Sequence, residues 1–187
     1  MSALTAHDKT FLLQLARSSI AGRLGFAPQA PAQDKVSPAV DQKRGCFVTL
    51  HKQGDLRGCI GTIEPQQSLK DGVAENAVNA AFRDPRFPPL TRDELESVDI
   101  EVSVLTVPER LDFKDAADLT ARLRPNVDGV ILSSGWNRAT FLPQVWEQLP
   151  DERAFLSHLC RKAGLSGTCW QKGDIRIEVY QAEYFSE

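Results

Sequence analysis

The sequence predicts an α+β fold of two lobes, each dominated by antiparallel sheet and flanked by helices. Three observations lead there. Apolar residues alternate with period two and return through short turns at residues 46–63 and again at 130–142, the pattern of hairpins. Each hairpin is followed by a helix and then by an amphipathic strand. The two strands echo one another, Asp99-Ile-Glu-Val-Ser-Val-Leu105 against Asp174-Ile-Arg-Ile-Glu-Val-Tyr180. A hairpin-helix-strand unit therefore occurs twice, at a spacing of about 75 to 83 residues, which reads as an internal duplication. We assign residues 1–187 to one domain with approximate lobes 1–110 and 111–187.

In chain order, Thr5 to Leu24 places Phe11, Leu12, Leu15, Ser19 and Ile20 at helical spacing, with Thr5 and Asp8 as a capping box and Gly25 as the stop. Residues 25–44 form a polar, Pro-bearing connection containing Pro28, Pro31 and Pro38. A connection of that length inside a compact domain is usually functional or mobile. Cys46, Val48 and Leu50 then alternate with Phe47, Thr49 and His51, the segment Gln53-Gly54-Asp55 turns, and Leu56 to Ile63 returns. Ser68 and Asp71 cap a helix to about Arg83, with Leu69, Val73, Ala77, Ala80 and Ala81 on its buried side. Asp84-Pro-Arg-Phe-Pro-Pro89 breaks that helix, a Thr91-capped turn follows, and Val98 to Val107 is a strand. The second lobe repeats the order with a helix at Asp115 to Leu123, a hairpin turning at Ser133-Ser134-Gly135, a Pro143-started turn, a helix from Asp151 to Ala163, and the strand at 174–180.

At 187 residues and 42% hydrophobic, the chain can build a sizeable core. Its formal charge of −3 and its short, mixed charge runs disfavour nucleic-acid binding, which usually gathers Lys and Arg into a stripe. No apolar run approaches the ~18 residues of a membrane span, and the N-terminal segment lacks the apolar core of a signal peptide, so we expect a cytoplasmic protein. In that compartment Cys46, Cys59, Cys160 and Cys169 should stay reduced. Their spacings fit no zinc pattern, and His7, His51 and His158 are scattered, so neither a metal nor a cofactor is expected. Cys160 falls on an apolar helical stripe with Phe155, Leu156 and Leu159 and reads as core; Cys46 and Cys169 read as structural.

Leu56-Arg-Gly-Cys-Ile-Gly61 needs a separate explanation, because glycine weakens a strand interior and marks a bulge or a close approach. With Gln53 to Asp55 as a three-residue loop, His51 lies opposite Arg57 and Thr49 opposite Cys59. One polar patch results, while Val48, Leu50, Leu56 and Ile60 face the core. Beside Arg57 the Cys59 thiolate would be favoured, Gly58 and Gly61 would let backbone amides approach an anionic group, and Arg57 would fork a carboxylate or phosphate. Asp84 and Arg86, on the loop after the following helix, could reach the same site. The competing reading makes Cys59 a small buried hydrophobe and the glycines accommodations for a bulge or a packed aromatic ring.

Phe47-Val-Thr-Leu-His-Lys, Leu56-Arg-Gly-Cys-Ile-Gly61, Asp84-Pro-Arg-Phe-Pro88, Phe141-Leu-Pro-Gln-Val145 and Lys162-Ala-Gly-Leu165, in that order, resemble the AMMECR domain family, in particular its bacterial AmmeMemoRadiSam system protein A form. The resemblance covers nearly the whole chain. It implies a two-lobed α+β domain with Leu-Arg-Gly-Cys-Ile-Gly as its signature, lining a site near the cleft between lobes. It also implies two partners, a Memo-type protein and a radical S-adenosylmethionine enzyme, to which any metal or S-adenosylmethionine would belong. Cys46 stands where the family pattern has Ala, which favours a structural role for that thiol. The turn Ser134-Gly135-Trp136-Asn137 is less typical of the family, and we place no function there.

Two functions therefore compete. The first is a ligand- or partner-binding module using Arg57, Gly58, Gly61, His51, Thr49, Asp84 and Arg86. The alternative is a cysteine-dependent enzyme in which Cys59 is nucleophile or redox thiol toward a small anionic substrate. Nucleic-acid binding would require the fold to gather Arg57, Arg83, Arg86 and Arg138 onto one face.

Overall fold

The computed structural model describes residues 3–27, 31–32, 34–172 and 174–187; Pro28 of the Pro-bearing connection lies outside them. The chain divides into two compact units: residues through Val107 together with Glu183–Glu187, and Pro108–Ala182. The last five residues thus belong with the first unit.

In the first unit, helix α1 (Ala6–Arg23) starts where the sequence places it: Thr5 Oγ1 accepts from Asp8 N at 3.2 Å and Thr5 N donates to Asp8 Oδ2 at 2.8 Å. Strands β1 (Cys46–Lys52) and β2 (Asp55–Thr62) form a hairpin, α2 (Leu69–Phe82) packs on it, and β3 (Val98–Leu105) pairs antiparallel with β1. The C-terminal strand β8 (Ala182–Ser186) completes a four-stranded sheet in the order β2-β1-β3-β8. Val48, Leu50, Ile100 and Val102 on the sheet, with Leu12, Ile20, Leu69 and Val73 on the helices, are fully buried and form one core. The connection before β1 is not structureless. Ser37 donates to buried Asp8 through both its N (2.7 Å) and its Oγ (2.8 Å), and Ala39 and Val40 of a single 3-10 turn are buried.

The second unit has β4 (Glu109–Arg110), α3 (Ala116–Arg122), β5 (Gly129–Ser134), β6 (Asn137–Phe141), α4 (Glu152–Lys162) and β7 (Arg176–Tyr180), with strand order β4-β7-β5-β6. In both units the first hairpin strand is central, flanked by its hairpin mate and by the strand after the helix. Val48 pairs with Val102 in one sheet and Leu132 with Ile177 in the other, the positions that the Asp99–Leu105 and Asp174–Tyr180 echo equates. The α+β class and the twice-used hairpin-helix-strand unit are thus both present. The second core centres on Trp146, stacked on Phe155 at 3.7 Å between ring centroids, its indole Nε1 donating to Asp128 O at 2.7 Å.

Three expectations are corrected. The β1–β2 turn has two residues, not three: Gln53 (φ 55°) and Gly54 (φ 86°) both take left-handed backbone, as a tight hairpin turn of matching twist requires. A bulge absorbs the remaining residue, so His51 faces Leu56 while Leu50 faces Gly58, and Arg57 is the extra residue between them. Leu56 is accordingly turned out, 41% exposed, instead of filling the core. Finally, Cys160 and Cys169 are not free thiols but a disulfide. The end of α4, a left-handed Gly164 (φ 75°) and a 3-10 turn at Cys169–Gln171 fold the nine-residue separation back to a Cα–Cα distance of 6.1 Å, within bonding range.

Candidate functional site

Cys59 and Thr49 are paired across β2 and β1. The Cys59 N–H points away from β1 to Asp84 Oδ2 at 2.9 Å, so the rung is of the non-hydrogen-bonded kind, in which facing side chains approach closely. Thr49 Oγ1 accordingly donates to Cys59 Sγ at 3.4 Å. On the other side of β1, Thr49 pairs with Glu101 of β3, placing Cys59, Thr49 and Glu101 in one cross-strand row.

Asp84 organises the row's edge. Its side chain is 2% exposed, yet it accepts four hydrogen bonds: from Cys59 N, from Arg86 N (3.1 Å), and from Arg86 Nε (2.9 Å) and Nη2 (2.6 Å). The Arg86 guanidinium holds this carboxyl well below the usual carboxylate range; burial opposes that effect, and the Cys59 and Arg86 amides reinforce it. Arg86 itself is clamped through Nε and Nη2, and its side chain as a whole is 54% exposed.

Arg57 is directed elsewhere by the bulge. Its Nε and Nη2 donate to Glu94 Oε1 (3.3 Å) and Oε2 (3.1 Å), and Nη2 also to Pro88 O (3.0 Å). Its Nη1 is buried without a hydrogen-bond partner, and its guanidinium carbon lies 5.9 Å from the Phe87 ring centroid. Arg86 approaches the same ring at 5.4 Å. The Leu-Arg-Gly-Cys-Ile-Gly strand and the Asp-Pro-Arg-Phe-Pro loop are thus locked together by Asp84, Pro88, Phe87 and Glu94.

Both glycines have a structural explanation. A Cβ on Gly58 would stand 2.3 Å from Ala80 O, so β2 lies against the backbone of α2, and one on Gly61 would stand 2.2 Å from Cγ of the Phe47 ring. His51 stays on the Thr49 face of β1 but faces Asp99, not Arg57. The structure brings together Thr49, Cys59, Asp84 and Arg86, and separates from them Arg57, Gly58 and His51.

This arrangement corrects the expected electrostatics of the thiol. Burial pushes the Cys59 thiol up; the Thr49 hydroxyl and Arg86 oppose it, Asp84 and Glu101 add to it, and the outcome is upward. The cation beside the sulfur is Arg86, not Arg57. Cys46 is fully buried and its thiol is pushed up to about 11, chiefly by that burial. Among the described residues, no group of three or more His, Cys, Asp or Glu side chains is arranged to hold a metal ion, and no helix is long and apolar enough to cross a membrane.

Sequence reasoning missed Glu94, Glu101 and Phe87. The only signal for Glu94 was Thr91-x-x-Glu94, a cap pattern, and Glu94 does accept from Thr91 N at 3.1 Å. Trp136, in the turn to which no function was assigned, stands fully exposed between β5 and β6 after Gly135 (φ 57°). That turn is braced by Ser134 Oγ donating to Asp174 O (3.1 Å) and Asn137 Nδ2 donating to Ala163 O (2.7 Å).

Comparison with known proteins places this fold. The family model AMMECR1 matches residues 13–185. A Methanothermobacter thermautotrophicus protein is 42% identical over 185 residues, covering 98% of this chain and 96% of its own length. Protein MJ0810 of Methanocaldococcus jannaschii is 37% identical, covering 100% of this chain and 94% of its own. The crystal structure of the uncharacterized protein PH0010 from Pyrococcus horikoshii superposes with a TM-score of 0.87 at 33% identity, over 98% of this chain and 93% of that one. With a family model spanning nearly its whole length, a relative 42% identical over 98% of it and a solved structure of the same fold, the chain belongs to the AMMECR1 family.

Proposed function

We propose that the chain is a binding module that presents Arg86, Thr49 and Cys59 to a partner or a small anionic ligand, and that it acts with a Memo-type protein and a radical S-adenosylmethionine enzyme. The partners come from the resemblance to AmmeMemoRadiSam proteins. The observation that carries the binding role is the Asp84 clamp: one buried carboxylate fixes both the Cys59 amide and the Arg86 guanidinium, leaving the outer edge of Arg86 preorganised and exposed. Of the remaining residues of the set, Asp84 clamps those groups, Gly58 and Gly61 let β2 lie against α2 and the Phe47 ring, Arg57 ties β2 to Glu94, and His51 has no part in this reading.

The alternative, Cys59 as a nucleophile, needs a thiolate near neutral pH. An upward-shifted thiol that accepts a hydrogen bond from a neutral hydroxyl is poorly prepared for that role. Nucleic-acid binding is weakened by the commitment of Arg57 and Arg86 to Glu94 and Asp84.

Calorimetric titration of the purified Memo-type protein and radical S-adenosylmethionine enzyme into wild type, Cys59→Ser and Arg86→Ala tests the proposal. Cys59→Ser should stay within about threefold of wild-type affinity, and Arg86→Ala should lose about tenfold or more. Equal binding by wild type and Arg86→Ala, or loss confined to Cys59→Ser, would overturn it.

A further inference from the structure

The second unit carries a group that the binding role does not use. Cys160 and Cys169 are joined, while Cys46 and Cys59 of the first unit remain free. The bond ties the last turn of α4 to the 3-10 turn Cys169–Gln171 across a separation of nine residues. A loop this short constrains the unfolded chain less than a long one would, and the core around it is built on Trp146, Phe155, Leu156 and Leu159. The segment is also held without it: Leu165 N donates to Cys160 O (2.9 Å), Cys169 N to Ser166 O (2.9 Å), and Trp170 Nε1 to Ser157 Oγ (3.2 Å). These hydrogen bonds do not involve the sulfurs, so breaking the disulfide removes none of them.

The two sulfurs are unequal. Cys169 is half-buried on a surface turn, whereas Cys160 is wholly buried on the apolar face of α4. The Arg161 guanidinium lies over the loop between them, so close that a Cβ on Gly167 would stand 3.1 Å from its Nε. A cation there favours an approaching thiolate, and the apolar pocket accepts Cys160 as a neutral thiol.

We propose that Cys160–Cys169 is a site of reversible thiol–disulfide exchange with a dithiol reductant. One thiolate of the dithiol attacks Cys169 Sγ, forming a mixed disulfide and breaking the Cys160–Cys169 bond; the Cys160 sulfur leaves with the electron pair and takes up a proton. The second thiol, deprotonated, attacks the reagent sulfur of the mixed disulfide, releasing Cys169 as a thiol after protonation. The protein disulfide gains two electrons and two protons, and the dithiol is oxidised to its cyclic disulfide. Opening removes the covalent tie between α4 and the Cys169–Gln171 turn beside buried Trp170, while the hydrogen bond from Trp170 Nε1 to Ser157 Oγ stays in reach.

The test is a redox titration of the full native chain in buffers of reduced and oxidised dithiothreitol. Alkylation at each cysteine is read by peptide mass spectrometry, tryptophan emission reports the second unit, and far-UV circular dichroism monitors the fold. The expected result is one reversible transition in which Cys160 and Cys169 convert together, with an emission change, unchanged dichroism and no conversion of Cys46. Cys169→Ala should abolish it. A pair that resists reduction until the chain unfolds, two free thiols in fully oxidised buffer, or a transition that survives in Cys169→Ala would each overturn the proposal.

Discussion

Replacing Asp84 by alanine should destabilise the first unit by about 1.5–5 kcal/mol. The Arg86 side chain is 54% exposed, so its ion pair with Asp84 contributes only about 0–1 kcal/mol. Arg86 N lies in a loop that water reaches, so losing its bond costs about 0.5–1 kcal/mol. The larger effect is at Cys59, whose partly buried amide has Asp84 Oδ2 as its acceptor at 2.9 Å; leaving such a donor without a partner costs about 1–3 kcal/mol. All three tryptophans lie in the second unit, so their emission does not report this change. Urea unfolding followed by circular dichroism, with amide hydrogen exchange at Cys59, does. The sign of the pH dependence follows from the depressed Asp84 carboxyl. Its contribution is fully present above the unfolded value near about 4 and is lost as pH falls through the lower folded value. The stability gap between wild type and Asp84→Asn should therefore be constant near neutrality and close progressively below about pH 4. A cost below about 1 kcal/mol for Asp84→Ala, or unchanged exchange at the Cys59 amide, would refute the assignment of Asp84 as the clamp.

Two further substitutions follow from the same packing. Gly58→Ala places a methyl 2.3 Å from the Ala80 carbonyl oxygen and must push β2 from α2, costing at least about 2 kcal/mol in chemical denaturation, whereas Gly22→Ala, with nothing within 4 Å in the last turn of α1, should stabilise by about 0.4–1 kcal/mol, chiefly by stiffening the unfolded chain. Glu94 is held down at about 2, first by the Arg57 hydrogen bond and then by Lys52. Its contribution is present above the unfolded value near about 4.3 and disappears as pH falls toward 2, so Glu94→Gln should cost about 1–3 kcal/mol at pH 7 and almost nothing at pH 2 in parallel urea titrations.

The residues that were legible in the sequence are those whose behaviour is set by near neighbours. Thr5 and Asp8 cap α1 because their side chains reach only three residues along the chain. Val48, Leu50, Val102 and Ile177 declare a buried face through period two alone, and the duplicated strand fixed the repeat. Thr49 opposite Cys59 was also within reach, although the turn beyond it was misjudged. A two-residue turn plus a bulge and a three-residue turn without one give the same pairing at that rung and differ only between it and the turn. That difference decided the fate of Arg57.

What sequence alone determined is the class, the order of the two hairpins with the helix and strand that follow each, the apolar faces of α1, α2, β1 and β3, and the segments that carry the candidate site. Tertiary structure alone decided which partners those segments meet. Arg57 finds Glu94 across 37 residues, Cys59 finds Asp84 across 25, β8 returns from the C-terminus to pair beside β3, and Cys160 meets Cys169 around the end of a helix. Periodicity and capping are short-range consequences of backbone geometry, repeated at every turn or rung and so written in neighbouring letters. The choice of a distant partner depends on the burial and approach of whole elements, and no local pattern in the chain encodes it.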